Sequence, residues 1–503
     1  MMNLIDLVAT FGRRRVLVIG EAMLDSYLAG MADHLCREAP VPIVTISSRD
    51  DMPGGAANAA ANVRALGGDV RLLSAIGADH AGRLLRAALV RAHVSPVDLV
   101  VSPARRTLAK QRIVADGQML LRFDEGSSDA VDGAIERKLL RRLRRLHAWA
   151  EVILISDYGY GILTDGMIAL LADLQRSHPR PLLVDAKQLE RHQSLAPTAV
   201  KPNYGEATEL LGLVRLGATA DRAAQMSEHA DRLLDACNAR YAAVTLDSDG
   251  ALLLERDVAA YRTYARPTSN DHASGAGDTF AAAFALALGA GADGAAATEI
   301  ASASAAVAVG KQATATCTAD ELLEQLSGGP ERMLALERLA RRVALARSQG
   351  RRIVFTNGCF DILHRGHVAY LNRAKALGDL LIVGLNSDES VRHLKGDGRP
   401  INTLEDRAQV LGALSCVDHI VAFDDDSPVE LIRALRPDVY AKGGDYRLDR
   451  LPEAPLVQEL GGEVRILPFV DDRSTSGIIE RIGRSYAPTL AGAGVSSGAR
   501  NEP

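Results

Sequence analysis

The sequence predicts two consecutive α/β units with parallel sheets in one chain of 503 residues. Short apolar, β-branched runs alternate with helical patterns, as expected of strands buried on both faces. Aromatic residues make up only 4% of the chain. The cores are therefore left to Ala, Leu, Val and Ile, which suit such strands and the Ala-rich helices between them. A single Gly/Pro seam, SGGP at 327–330, separates two helical stretches and divides the strands into a longer and a shorter set.

In the first set, RVLVIG (15–20), VILIS (152–156), PLLVD (181–185) and AAVTL (242–246) read as strands. In the second, RIVFT (352–356), LLIVGL (380–385) and VRILPF (464–469) do so. The expected organisation is a first unit over 1–326, a linker and connecting helix over 327–349, a second unit over 350–486 and a disordered Gly/Ser/Pro-rich tail over 487–503. Met333, Leu336, Leu339 and Val343 fall at helical spacing, so that stretch fits equally a connecting helix or the first helix of the second unit.

A net charge of −5 disfavours nucleic-acid binding. The five cysteines form no C-x-x-C pair, which excludes a zinc ribbon and fits a reducing, cytoplasmic setting. At the N-terminus the apolar part precedes the basic part, the reverse of a signal peptide. No run is long or apolar enough to span a membrane, so no membrane contact is expected.

Three features of the first unit point to phosphoryl transfer. SGAGDTFAAAFALAL (274–288) opens an Ala/Leu helix with small residues. The backbone N–H groups of Gly275, Ala276 and Gly277 can then face one anion, with Asp278 beside it as a general base. GGAANAAANVRALGG (54–68) opens a helix with Gly54 and Gly55 and puts Asn58 at its start. KPNYGE (201–206) sets Asn203 and Glu206 three apart, able to hold Mg²⁺ directly or through water.

In this order the motifs resemble the ribokinase-like carbohydrate kinases, over about 14–320. That resemblance implies a sugar-closing Gly54-Gly55…Asn58 motif, a magnesium and nucleotide motif at Asn203 and Glu206, and an anion hole with Asp278 as catalytic base. GEAMLDSY (20–27) and REAPVPIV (37–44) are similar to the heptose-phosphate branch. There Asp25 would meet sugar hydroxyls and Arg37 the substrate phosphate. The chain departs from the pattern at His272, where an Asp is usual (Asp271 precedes it), at Glu21 for Asp, and at Tyr160 for Lys.

The most specific stretch is RIVFTNGCFDILHRGHVAYLNRAKALGD (352–379). A strand ends in Thr356-Asn357-Gly358, Phe360 follows, and His364 and His367 sit three apart at a helix start around Gly366. Zinc helices space their histidines four apart and add a Glu, so a phosphate site fits better than a metal. LNSDESVRHLKGDGRP adds Asn386, Asp388 and Lys395; LEDRAQVL adds Arg407; YAKGGDY adds Lys442 and Asp445. Ser474, Thr475 and Ser476 in DRSTSGII suit either a phosphate seat or an ordinary N-cap. This set resembles the cytidylyltransferase-like nucleotidyltransferases, Rossmann-like in fold, over about 350–484. The resemblance implies transfer chemistry through His364, His367 and Lys395 and nucleotide contacts from the other residues. Cys359 has no partnered base and reads as packing.

A kinase followed by a nucleotidyltransferase resembles one bifunctional family, the heptose 7-phosphate kinase / heptose 1-phosphate adenylyltransferases. The resemblance implies ATP as substrate of both reactions, Mg²⁺, ADP-heptose for the lipopolysaccharide core as product, and a homodimer. The departures leave open a kinase/nucleotidyltransferase for another sugar or polyol using CTP, and an idle kinase-like dimerisation module. Such a route needs the 7-phosphate removed between its two steps. D-x-D occurs at Asp247/Asp249 and Asp424/Asp426, but Ala251 and Pro428 stand where an aspartyl-phosphate phosphatase has Thr or Val. A separate phosphatase is therefore expected.

Overall fold

The structure is a computed structural model that describes residues 4–37, 39–115, 118–217, 221–265, 275–311, 314–326, 333–444 and 451–467. The chain divides into two compact units, Met2–Gly329 and Pro330–Pro503.

The first unit is built on a nine-stranded sheet. From edge to edge its strands are Val258–Thr263, Ala251–Glu255, Tyr241–Thr245, Ala199–Val200, Leu182–Ala186, Val152–Asp157, Arg15–Gly20, Asp69–Gly77 and Leu99–Ser102. Pairing is parallel except for the last hairpin, Ala251–Glu255 with its two antiparallel neighbours. The continuous apolar run at Arg15–Gly20 follows from burial on both faces. Val16 and Val18 join a core with the Ala56–Ala65 and Ala276–Gly289 helices, while Leu17 and Ile19 join a second core with Leu139 and Leu143 of the Gly133–Trp149 helix. Alanine dominates the first of these cores, and small side chains let its two helices pack closely.

A separate four-stranded sheet has the order Pro42–Gly55, Ala22–Leu35, Leu108–Ala115, Gln118–Glu125. Ala22–Leu35 begins buried and ends exposed, so this sheet starts at the body of the unit and leaves it. Apolar periodicity did not announce it, because most of its residues are half-buried or exposed.

The second unit holds five parallel strands in the order His419–Phe423, Leu380–Asn386, Ile353–Gly358, Val439–Gly443, Glu463–Leu467. The chain winds outward in both directions from Ile353–Gly358, which places a crevice at the carboxyl ends of the two central strands. The Leu336–Ser348 helix, set above in the stretch between the units, buries Leu339, Val343 and Ala346 against Ile353, Phe355 and Leu435. Its apolar face makes it part of this unit's core. Among the described residues no helix is long and apolar enough to cross a membrane. Both D-x-D segments are surface turns, Asp247–Asp249 a short 3₁₀ turn.

Candidate active sites

In the first unit Gly275 caps the Ala276–Gly289 helix with φ +95°, a left-handed conformation that a side chain resists. A Cβ there would also meet Asn58 Nδ2 at 2.8 Å. The first intrahelical bond runs from Thr279 N–H to the Gly275 carbonyl at 3.0 Å, so the N–H groups of Ala276, Gly277 and Asp278 precede the helical ladder. Lys201 Nζ lies 3.6 Å from the space that a Cβ on Gly277 would fill.

Asp278 is buried and held from both sides. Asn58 Nδ2 donates to Oδ2 at 2.8 Å and the Tyr158 hydroxyl donates to Oδ1 at 3.0 Å. The Asn58 amide is itself oriented. Asn62 accepts from Thr279 Oγ1 and Cys317 N–H, so its own Nδ2 donates to Asn58 Oδ1 at 3.2 Å. Burial pushes the Asp278 carboxyl above its ordinary pKa, and the bonds from Asn58 and Tyr158 oppose that rise. Burial, and then the charge of Asp278, raise the Tyr158 phenol well above 10, which keeps it a donor. Burial works against the charge of Lys201, but Asp185, at 3.1 Å, and Glu206 outweigh it and hold the ammonium above its usual range.

Asp25 stands across from this group at the start of the four-stranded sheet. Arg112 pairs with Oδ1 at 3.0 Å and Thr314 Oγ1 donates to Oδ2 at 3.3 Å. Gly54 leaves room for it, since a Cβ there would lie 2.6 Å from Oδ2. Gly55, at φ +57°, turns the chain into the helix that carries Asn58. Glu21 is fully buried and accepts N–H bonds from Tyr158 at 2.7 Å and Ile162 at 3.1 Å. Burial, then nearby Asp157, push its pKa up to about 7. Glu21 thus anchors the loop that carries Tyr158.

In the second unit His364 caps the Arg365–Lys375 helix, its Nδ1 accepting from Gly366 N–H at 3.1 Å. His367 lies with its ring centroid 4.0 Å from that of His364 and edge-on to Phe360. Its Nδ1 is buried and has no hydrogen-bond partner among the described residues. Burial, then His364 and Lys395, push the His367 pKa down to about 3, so the ring is neutral at physiological pH. Across the crevice Asn357 Oδ1 accepts from Lys442 Nζ at 2.9 Å and from the Tyr440 hydroxyl at 2.8 Å. Burial raises the Cys359 thiol, which leaves it protonated and inert.

Residues 13–321 match the pfkB family of carbohydrate kinases, and residues 355–496 match the cytidylyltransferase-like family. The chain is 38% identical to the bifunctional protein HldE of Geobacter sulfurreducens over 96% of this chain and 99% of that protein. It is 40% identical to HldE of Hyphomonas neptunium over 93% and 96% of the two chains. The chain belongs to the bifunctional HldE family. Phosphofructokinase-2 of Escherichia coli, solved with potassium, superposes at TM-score 0.51 over 62% of this chain and 97% of that one; at 19% identity this is a likeness of fold.

In this HldE-family chain the first site gathers Asp278, Gly275, Ala276, Gly277, Asn58, Gly54, Gly55 and Asp25 as the motifs lead one to expect. It does not gather Arg37. That residue is exposed two positions beyond Leu35, at the far end of the strand that begins at the site, on the order of 40 Å of extended chain from Asp25. Asn203 and Glu206 close on each other as a capping box, with Glu206 N–H to Asn203 Oδ1 at 2.9 Å and Asn203 N–H to Glu206 Oε2 at 2.8 Å. Among the described residues no three His, Cys, Asp or Glu side chains group as a metal site.

Four residues expected to contact the nucleotide in the second unit, Thr356, Arg407, Asp388 and Asn386, are engaged with the protein instead. The Thr356 hydroxyl is buried against the Tyr370 hydroxyl at 2.6 Å. The Arg407 guanidinium is fully buried, donating to the carbonyls of Cys359, Asn386 and Asn402 and to Asp388 Oδ1 at 2.6 Å. It ties the segments at 359, 386–388 and 402 together, and Asp388 neutralises it. Asn386 donates to Ser390 Oγ at 3.0 Å. Gly358 and Phe360 pack on one another, the missing Cβ of Gly358 making room for the ring. Lys395 is exposed at the end of the Asp388–Lys395 helix, close enough to lower the pKa of His367. Asp271, His272, Asp445, Ser474, Thr475 and Ser476 lie outside the described residues. Lys201, Tyr158, Tyr440 and Asp361 hold or face the sites without an expected role; Lys201, Tyr440 and Asp361 stand inside KPNYGE, YAKGGDY and the 352–379 stretch, and Tyr158 lies two residues before Tyr160. Asp361 accepts the N–H groups of Ile401 and Asn402 and pairs with Arg399, pinning the loop after Lys395.

Proposed function

We propose that the chain makes both phosphoryl transfers of ADP-heptose synthesis. The first unit phosphorylates heptose 7-phosphate at O1 with ATP, and the second transfers adenylyl from ATP to heptose 1-phosphate, releasing pyrophosphate. The observation that carries this is Asp278. It is a buried carboxylate at an open helix start, oriented by two donors, in a chain whose second unit carries paired histidines at a nucleotide crevice. A kinase module retained only for dimerisation has no use for that arrangement.

In the first step Asp278 takes the O1 proton as O1 bonds to the γ-phosphorus and the bond to ADP breaks. The N–H groups of Ala276, Gly277 and Asp278, with Lys201, face the charge on the moving phosphoryl group. Asp25 and Asn58 orient the sugar and the base. Mg²⁺ fits this site only as a water-bridged ion, since Asn203 and one Glu206 oxygen are committed to the helix cap. Glu206 would hold it through water while it neutralises the ATP phosphates.

In the second step an oxygen of the sugar 1-phosphate attacks the α-phosphorus and pyrophosphate leaves. The nucleophile is already an anion, so donors suffice and no base is needed. His364, His367, Lys395 and Lys442 supply them. Asn357, Gly366 and the 474–476 hydroxyls complete the nucleotide seat in this reading.

A separate phosphatase removes the 7-phosphate between the steps. A homodimer is supported by apolar side chains exposed on the four-stranded sheet, among them Met31, Leu35, Ile43 and Leu121. The cytoplasm, where ATP and sugar phosphates are at hand, is the compartment this reading implies. The test is to incubate pure protein with heptose 7-phosphate, ATP and Mg²⁺. Heptose 1,7-bisphosphate should accumulate, with ADP-heptose only after a phosphatase is added. No bisphosphate would refute the kinase assignment, and ADP-heptose without phosphatase would refute the three-step order.

A further inference from the structure

The four-stranded sheet joins the body of the first unit at two junctions, and a buried charge stands at each. Glu21 is the single residue between the Arg15–Gly20 strand of the main sheet and the Ala22–Leu35 strand of the smaller one. Its carbonyl accepts from Ala56 N–H at 3.0 Å, where Pro42–Gly55 returns to the body and the helix of Asn58 begins. A Cβ on Gly55 would lie 2.6 Å from that carbonyl oxygen, so the two crossings are closely packed. Arg105 stands at the second junction, three residues before the Leu108–Ala115 strand. It is buried and donates to the carbonyls of Ser127 at 3.0 Å and Asp129 at 2.9 Å, where the chain returns from Gln118–Glu125.

Both charges reach one short loop, with opposite chemistry. Glu21 accepts the N–H groups of Tyr158 and Ile162, one on each carboxylate oxygen. Arg105 donates to the Tyr160 carbonyl between them at 2.6 Å. Gly159 and Gly161 take this loop through the left-handed region, at φ +76° and +79°, so its shape depends on what holds it. Burial works against the Arg105 charge, and Glu21 is the foremost carboxylate supporting it. Buried ions are costly to keep, and these two spend their bonds on backbone. What the loop delivers is the Tyr158 hydroxyl on Asp278 Oδ1. The motifs mark Glu21 only as a departure and Arg105 not at all.

We propose that Glu21 and Arg105 are positioning residues of the kinase: from the two junctions they set the 158–162 loop, so that the seating of the four-stranded sheet fixes the aim of Asp278 through Tyr158. This rests on the kinase reading above and deepens it.

The test is a double-mutant cycle on the full chain with heptose 7-phosphate and ATP, combining Glu21→Gln or Arg105→Lys with Tyr158→Phe. Glu21→Gln keeps the shape but sets an amide NH₂ against one of the two N–H donors. Arg105→Lys keeps the charge but lacks the planar fork that spans three carbonyls. Each should lower the kinase kcat about 10-fold, with the KM for ATP within about 2-fold. In the Tyr158→Phe background each should cost less than about 3-fold more, since both act through that hydroxyl. Trp149, the single Trp of the chain, lies in the first unit, so its emission reports whether that unit is folded. If one variant loses the wild-type emission, the other carries the cycle. Loss of it in both would show that the pair only holds the fold, and would overturn the assignment. So would an unchanged kcat, or losses that multiply in full with that of Tyr158→Phe. A wild type that phosphorylates no acceptor would instead sink the kinase reading itself.

Discussion

The two units meet the same problem, phosphate charge at a helix start, with groups of opposite kind. At Gly275–Asp278 a carboxylate sits at the helix start, and burial raises its pKa while Asn58 and Tyr158 hold it ionisable. At His364–His367 two imidazoles sit there, and burial drives one of them to about 3. Burial favours the neutral form in both places. In the proposed reactions the difference lies in the nucleophile. A sugar hydroxyl must lose a proton, so the kinase keeps an acceptor. A sugar phosphate is already an anion, so the transferase needs only donors, and a neutral imidazole N–H is one.

The largest expected effect is Asp278→Asn. Kinase turnover should fall about 10²- to 10⁴-fold with adenylyl transfer unchanged. Near-normal phosphorylation by this variant would remove the base from the comparison. For His367→Ala we expect adenylyl transfer to drop by about 10²-fold while sugar phosphorylation continues. Loss of both activities in a folded variant would mean that the sites are not separate.

Tyr158→Phe sharpens the comparison. It removes a donor that lowers the Asp278 pKa, so that pKa should rise further. The acidic limb of the kinase pH profile should move to higher pH, with roughly a 10-fold loss of kcat at neutral pH. A loss without movement of the limb would show that Tyr158 only packs.

The smallest effect is on stability. The folded pKa of His367 is about 3 and its ordinary value about 6.5, so the unfolded chain binds the extra proton. Stability from this group is complete above pH 6.5 and is lost as pH falls toward 3, at no more than about 1.4 kcal/mol per pH unit. Hydrogen exchange in the 353–358 strand should therefore quicken between pH 7 and 5 beyond its intrinsic pH dependence. His367→Asn should flatten that trend, and an unchanged slope would contradict the burial account.

Much of this was legible in the residues. Strands buried on both faces announce themselves as unbroken apolar runs, and both sheets appear where RVLVIG, VILIS, RIVFT and LLIVGL stand. The four-stranded sheet was not legible, because its mixed, half-exposed strands have no period. At the sites, small residues before Asp278 and the H-x-G-H spacing carried the reading, since few patterns put those groups at a helix start. The family resemblance sets Arg407 and Thr356 against the nucleotide, and a motif does not show burial; each is enclosed and bonded to neighbouring protein groups. Asn203 and Glu206 spell a capping box as readily as a metal pair.

The central claim is two independent sites in one chain, and complementation tests it directly. Asp278→Asn and His367→Ala variants would each be given heptose 7-phosphate, ATP, Mg²⁺ and a sugar-bisphosphate phosphatase, alone and mixed in equal amounts. Each alone should form almost no ADP-heptose, and the mixture should form it at about half the wild-type rate, because the intermediates diffuse between intact sites. A mixture as inactive as its components would contradict the account.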